Sequence, residues 1–172
     1  MQKISIKSHL QKYSIYQKRS TTINHAFASA MAPVDLYSEE LIDKILKELE
    51  CLVEGKIICV YCGKKEAETW DHLYALVKGS EPSGYGHRYG NLIPACKECN
   101  SKKGNRDWVD ANHTINKDDL SQQEKVVRVI SNHINHYPAK GDFIDNNKKI
   151  ELDKIKSEIF KLMKRADDII CS

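Results

Sequence analysis

Two pairs of closely spaced cysteines are the strongest chemical signal in this 172-residue sequence. Cys59 and Cys62 form one pair, and Cys96 and Cys99 form the other after 33 intervening residues. Each pair offers two thiolates to a single tetrahedral ion, and Zn²⁺ suits a site made of four sulfurs. Four protein ligands leave no open coordination position, so we expect a structural zinc ion. The alternative interpretation is four unrelated thiols.

Polar residues lie between the two pairs and directly after the second. Asp71 and His72 follow the first pair, Asn91 precedes the second pair, and Asn100 follows it with Lys103 three positions later. In this order and spacing, the pattern resembles the HNH nucleases of the ββα-metal, or His-Me finger, superfamily. The expected core is therefore two strands and a helix held together by the cysteines.

The resemblance covers residues 59–105, about a quarter of the chain, and it implies a role for each polar residue. His72 would be the general base, and Asp71 and Asn100 would ligate a catalytic Mg²⁺ or a similar divalent ion. Asn91 would brace the loop behind His72 through backbone hydrogen bonds. The implied reaction is hydrolysis of a phosphodiester bond in DNA to 5′-phosphate and 3′-hydroxyl ends.

These residue types suit such a reaction. A neutral imidazole takes up a proton near pH 7, and a hard divalent ion prefers oxygen ligands. Adjacent strand residues point to opposite faces, so Asp71 and His72 serve one site only if the chain bends there. Asn100 also suits a simple helix cap, and Asn91 a plain turn. Many relatives have a proline shortly after the Asp-His pair, which residues 73–76 lack.

Contacts to a phosphate backbone require cations near the scissile bond. The candidates fall on the helix that carries Asn100 and in a glycine-rich loop; they are Lys102, Lys103, Arg106, His87 and Arg88. The loop could equally be an inert crossover. Residues 1–34 add five basic and no acidic residues, which favours a polyanionic partner.

The hydrophobic pattern predicts helices around this centre. Helices are expected over residues 5–31, from a cap at Ser38 to a stop at Gly55, over 97–109, after a capping box at Ser121 and Glu124, and from Lys149 onward. Short extended segments are expected over residues 56–61, 68–73 and 91–95, with a loop over 79–90 and linkers over 110–120 and 138–147.

The predicted fold class is thus α+β, a mostly helical chain with a central zinc-stapled ββα-metal (HNH) core. We divide the chain into an N-terminal helical region with a basic arm (1–55), the nuclease core (56–109) and a C-terminal helical region (110–172). The sequence lacks both a secretory signal and an apolar run long enough for a membrane span. We therefore expect a cytoplasmic protein with no membrane partner.

Two further segments, residues 68–73 and 83–87, resemble stand-alone bacterial HNH proteins grouped with type II restriction endonucleases. This resemblance implies a site-specific cut in double-stranded DNA. Because one HNH core cuts one strand, it also implies a homodimer. The alternatives are another HNH nuclease (homing, phage-encoded or nonspecific nicking), a non-catalytic zinc module that binds nucleic acid, and an interaction protein that uses its helical tail.

Overall fold

The computed structural model describes residues 10, 12–142 and 144–171. Within these ranges the helices are α1 (Ile15–Met31), α2 (Glu39–Glu48), α3 (Lys97–Lys103), α4 (Trp108–Ile115), α5 (Leu120–His136) and α6 (Asn146–Cys171). The strands are β1 (Leu52–Val53), β2 (Lys56–Ile57), β3 (Thr69–His72), β4 (Val77–Lys78), β5 (Glu81–Pro82) and β6 (Leu92–Ala95), with a 3₁₀ turn at Tyr89–Asn91. This mostly helical, mixed architecture confirms the predicted α+β class.

Strands β3 and β6 form the antiparallel pair at the centre of the fold. Asp71 lies opposite Ile93, and His72 lies opposite Leu92. Only Cys96 separates β6 from α3, so the two strands and the helix form the expected ββα unit. The extended segment expected over 56–61 is shorter, because after β2 the chain turns into the first cysteine pair.

One apolar core links this unit to the helices on either side. Its most buried members come from α2 and the residue after it, from the segment between α2 and α3, and from α5; they include Ile45, Leu46, Leu49, Tyr61, Leu73, Ile93, Val126, Val129 and Ile130. Burying one such aliphatic side chain contributes about 1.5–3 kcal/mol. The ββα unit is therefore held between α2 and α5 by burial of side chains from all three.

Gly104 divides the helix that the sequence predicts over residues 97–109. Its φ of 52° and ψ of −129° lie outside the helical region, so α3 ends at Lys103. A new helix, α4, begins at Trp108 and continues to Ile115. The predicted linker over 110–120 is therefore wrong in its first half.

The first residues of α2 and α5 are set by the side chains that cap them. The Ser38 hydroxyl accepts a hydrogen bond from the Leu41 amide at 3.2 Å, which confirms the predicted cap of α2. The helix ends at Glu48, however, and Gly55 instead forms the turn between β1 and β2. The predicted capping box at residues 121 and 124 is also wrong, because Asp119 caps α5.

Helices α1 and α6 pack against each other and join the two ends of the described chain. The Asp167 carboxylate accepts hydrogen bonds from the Ser14 hydroxyl at 2.7 Å and from the Ile15 amide at 2.6 Å. The predicted helix over 5–31 begins only at Ile15, and residues 1–9 and 11 lie outside the described ranges. Helix α6 begins three residues before the expected Lys149. None of the helices in the described ranges has the length and apolar character needed to cross a membrane.

Candidate functional site

The four cysteines of the two pairs converge on one point. Their Sγ atoms all lie within 4.8 Å of one another. Tetrahedral Zn–S bonds of about 2.3 Å require sulfur separations of about 3.8 Å, so this donor set fits a zinc ion. Backbone bonds fix both turns: the Gly63 amide donates to the Cys59 carbonyl at 2.9 Å, and the Asn100 amide to the Cys96 carbonyl at 3.0 Å. Gly63 adopts a φ of 60°, which favours glycine at the end of the first turn.

Asp71 extends from β3 into the interior, where only 5% of its surface is exposed. One carboxylate oxygen accepts a hydrogen bond from the Tyr61 hydroxyl at 2.8 Å. The other lies 3.4 Å from the Lys103 ammonium. Burial raises the pKa of Asp71, and the positive charge of Lys103 opposes that shift. The Tyr61 hydroxyl and the Lys103 ammonium therefore fix the position of both carboxylate oxygens of Asp71.

The Lys103 side chain is buried beneath the strand end, with 2% of the residue exposed. Its ammonium donates to the His72 carbonyl oxygen at 2.7 Å and to the Gly104 carbonyl at 3.3 Å, besides facing Asp71. This position does not fit the predicted contact of Lys103 with a DNA phosphate. It does explain how a carboxylate is tolerated inside the ββα unit, because a buried charge requires a charged or hydrogen-bonded partner.

His72 contacts a second imidazole at the end of β3. Its Nε2 atom lies 3.0 Å from Nδ1 of His87, and the two rings meet edge to face with centroids 5.0 Å apart. Burial, together with the nearby His87 and Lys103, lowers the pKa of His72 to about 4. The imidazole of His72 is consequently neutral at pH 7, which a group that takes up a proton requires.

Asp71, His72 and Asn100 line a single cleft of about 250 Å³. In a regular strand the side chains of Asp71 and His72 would point to opposite faces, yet in the structure both line the same cleft. His25, from α1, also lines the cleft, as does Trp70. Neither was predicted as a site residue: nothing local connects His25 on α1 to β3, and an aromatic residue within a strand is an ordinary packing residue. Tyr61 was missed as well, since nothing in the sequence between the two cysteines indicates that its hydroxyl bonds to Asp71.

Asn91 is fully buried and bonds to two separate segments. Its Oδ1 atom accepts from the Tyr74 amide at 2.8 Å, and its Nδ2 atom donates to the Tyr74 carbonyl at 3.1 Å. The same Nδ2 atom donates to the Gly86 carbonyl at 2.9 Å. The segment that follows His72 is thereby joined to the glycine-rich loop that carries His87.

The remaining basic candidates divide into internal and exposed side chains. Arg88 donates to the Asp35 carboxylate and to the Lys140 carbonyl, each at 2.8 Å, so its guanidinium serves the protein's own structure. Lys102 is exposed and pairs with Glu98 one turn earlier. Arg106 is exposed beside it and bonds to backbone carbonyls of α3. Of the five candidates, Lys102 and Arg106 are the most accessible to a polyanion.

Comparison with known proteins supplies one match. Residues 59–106 match the family model described as HNH endonuclease. This range spans just over a quarter of the chain and contains both cysteine pairs together with Asp71, His72, Asn91 and Asn100. The match supports a nuclease or nucleic-acid-related function for this part of the chain. No curated protein and no solved structure matches the chain.

Proposed function

Proceeding from an HNH endonuclease core, we propose that this protein is a metal-dependent endonuclease that hydrolyses double-stranded DNA. The observation that carries the proposal is the cleft shared by Asp71, His72 and Asn100, which lies within the matched residues. A carboxylate, an amide oxygen and a neutral imidazole are together suited to phosphodiester hydrolysis. Each of them reaches the cleft from the ββα unit.

In the proposed reaction, His72 takes a proton from a water molecule in the cleft. The resulting hydroxide forms a new bond to phosphorus while the bond between phosphorus and the 3′ oxygen breaks. The leaving oxygen takes up a proton from solvent, which yields 5′-phosphate and 3′-hydroxyl ends. Asp71 and Asn100 offer the oxygen donors that would hold a Mg²⁺ or similar ion, which would neutralise charge on the phosphate.

The cysteine site has a structural role in this proposal. Zn²⁺ held by Cys59, Cys62, Cys96 and Cys99 would tie the segment before β3 to the start of α3. Asn100 directly follows the last of these ligands, so the zinc would also fix the place of an oxygen donor in the cleft. Asn91 supports the geometry from behind by joining the segment after His72 to the glycine-rich loop.

DNA would approach the cleft along the exposed side of α3. Lys102 and Arg106 are the proposed phosphate contacts, because their side chains are exposed near the end of the helix that carries Asn100. His87 and Arg88, in the glycine-rich loop, are only partly exposed, and each bonds to another side chain within the protein. We further propose that the enzyme is site-specific, of the type II restriction kind, and that two copies act together on the two strands.

The experiment that tests the proposal compares His72→Ala with the unaltered protein on supercoiled plasmid in the presence of Mg²⁺. Removing the general base should reduce the cleavage rate by at least about 100-fold. DNA binding and thermal stability should be retained, because the substitution removes no charge partner of Asp71. His136→Ala is the matched control, since His136 is exposed and lies on α5.

The products distinguish the proposal from its alternatives. Discrete linear fragments with 5′-phosphate ends support a site-specific double-strand cut. Nicked circles or a smear would replace the restriction assignment with a nicking or nonspecific nuclease. Absence of cutting with any divalent ion, or normal cutting by the His72→Ala variant, would reject the catalytic assignment itself.

A further inference from the structure

The contact between His72 and His87 has two possible proton arrangements. Nε2 of His72 and Nδ1 of His87 lie 3.0 Å apart, which is a hydrogen-bond distance. When both rings are neutral, one of these two nitrogens carries the hydrogen and the other accepts it. Either His72 donates from Nε2 and keeps Nδ1 unprotonated, or His87 donates from Nδ1 and His72 carries its own proton on Nδ1. In the second arrangement neither nitrogen of His72 is available to accept a proton from water.

We propose that His87 is a positioning residue for His72, whose Nε2–H it accepts so that Nδ1 of His72 stays free to act as the base. The proposal rests on the proposed nuclease function, because only that function requires a free Nδ1. It assigns His87 a role different from the direct DNA contact that the sequence suggested. His87 would act through His72 and would not touch the substrate.

The backbone around His87 is fixed tightly enough for this role. The His87 amide donates to the Pro33 carbonyl at 2.8 Å, and the His87 carbonyl accepts from the Asp35 amide at 3.2 Å. Gly86 packs so closely on this segment that an ideal Cβ there would lie 2.1 Å from the Pro33 oxygen. Because any larger residue would displace the loop, Gly86 keeps the backbone before His87 close to Pro33.

The same contact gains strength during the reaction. When His72 takes up a proton at Nδ1 it becomes a cation, and its Nε2–H bond to His87 becomes charge-assisted. A bond that strengthens in the transition state raises the rate of the chemical step and leaves substrate binding unchanged. An imidazole acceptor, unlike a carboxylate, adds no negative charge close to the phosphate.

Two substitutions at position 87 separate these possibilities. His87→Leu removes the acceptor, whereas His87→Asn keeps an oxygen acceptor close to the place of Nδ1. On a supercoiled plasmid that the unaltered protein cuts, we expect the single-turnover rate at saturating enzyme to fall at least about 10-fold in His87→Leu. The half-saturating enzyme concentration should stay within about 2-fold, and His87→Asn should recover most of the rate. His136→Leu is the matched histidine control.

Nitrogen-15 NMR of the unaltered protein provides a measurement that needs no cleavage. His72 should show a single Nε2–H tautomer, and in His87→Leu it should become a mixture of tautomers. A dominant Nδ1–H tautomer in the unaltered protein would overturn the proposal. An unchanged rate in His87→Leu would do the same, as would weaker binding with a normal saturated rate, which marks a DNA contact. Normal cutting by His72→Ala would instead show that the proposed function has failed.

Discussion

The buried ammonium of Lys103 accounts for the stability of the carboxylate at the cleft. Its three contacts join Asp71, the His72 carbonyl and the end of α3. A carboxylate that is 5% exposed is costly without a counter-charge, and the Tyr61 hydroxyl alone supplies none. Lys103 therefore stabilises the site from inside the fold.

Lys103→Met should therefore lower the free energy of unfolding by about 3–5 kcal/mol, since it leaves a buried charge unpaired. Lys102→Met is the matched control on the same helix, and its exposed position predicts a loss below about 1 kcal/mol. Urea denaturation of the two variants measures the difference. Equal stabilities would contradict the assigned role of Lys103.

The environment of His72 also makes stability depend on pH. Burial, with a contribution from His87 and Lys103, lowers the pKa of His72 to about 4, whereas an unfolded histidine titrates near 6.5. Between these values the unfolded chain binds a proton that the folded chain does not. The free energy of unfolding should thus fall as the pH is lowered from about 6.5 toward 4.

His72→Asn should lose less stability than the unaltered protein over this pH range, because it lacks the titrating ring. Urea denaturation at about pH 7 and about pH 5 gives the comparison. His133, whose pKa burial also lowers, is present in both proteins and cancels from the difference. Identical losses in the two proteins would show that the ring of His72 is not shielded as described.

Among the secondary-structure elements, α3 depends most on the cysteine site. It has only seven residues, and isolated helices of that length are unstable in water. Cys96 precedes it and Cys99 lies within its first turn, so the proposed zinc would anchor its N-terminal end. Gly104 then ends α3, so this short helix does not continue into α4 and gains no stability from a longer helix.

Cys96→Ser should release the zinc and unfold the central unit, since removing a ligand eliminates most of the metal's contribution to folding. Metal analysis and a thermal melt monitored by circular dichroism measure both effects. Cys51→Ser is the control, because Cys51 is a buried cysteine outside the cluster and bonds to the Leu46 carbonyl. A Cys96→Ser variant with one zinc per chain and a normal melt would exclude the four-cysteine site.

Short-range patterns predicted α2, β3 and β6, because each has a cap or a clear apolar pattern within its own residues. The division of the helix at Gly104 was missed, since glycine is tolerated within helices and the sequence does not show that its φ is 52°. The spacing of the two cysteine pairs was enough to predict that the four sulfur atoms lie together. The contacts of Lys103 and His25 with the cleft depend on distant segments, and no local sequence signal encodes them.

Helices from before and after the ββα unit in the sequence pack around it. Segment 33–35 holds the loop that carries His87, α1 contributes His25 to the cleft, and α6 packs against α1. Within the described residues, one chain has a single cleft lined by Asp71, His72 and Asn100, which suits the proposed cutting of one strand. The proposed double-strand cut consequently requires a second copy.

Mixed dimers test this requirement. When the active protein is co-expressed with an excess of the His72→Ala chain, most active subunits should be paired with an inactive one. Such dimers should nick supercoiled plasmid and accumulate open circles, whereas dimers of active chains should give linear DNA. Linear product that persists in proportion to the active chain would show that one subunit cuts both strands in turn.

The adjacency of Cys99 and Asn100 would have a consequence for how the proposed enzyme matures in a cell. A polypeptide leaving the ribosome presents the first cysteine pair well before the second, and during that interval it holds neither a complete thiolate cage nor a working cleft. Under the proposed zinc site, arrival of the metal is what completes maturation. If the proposed nuclease function holds, only chains that have acquired zinc would cut genomic DNA, so the cellular zinc supply would set how quickly newly made chains become active.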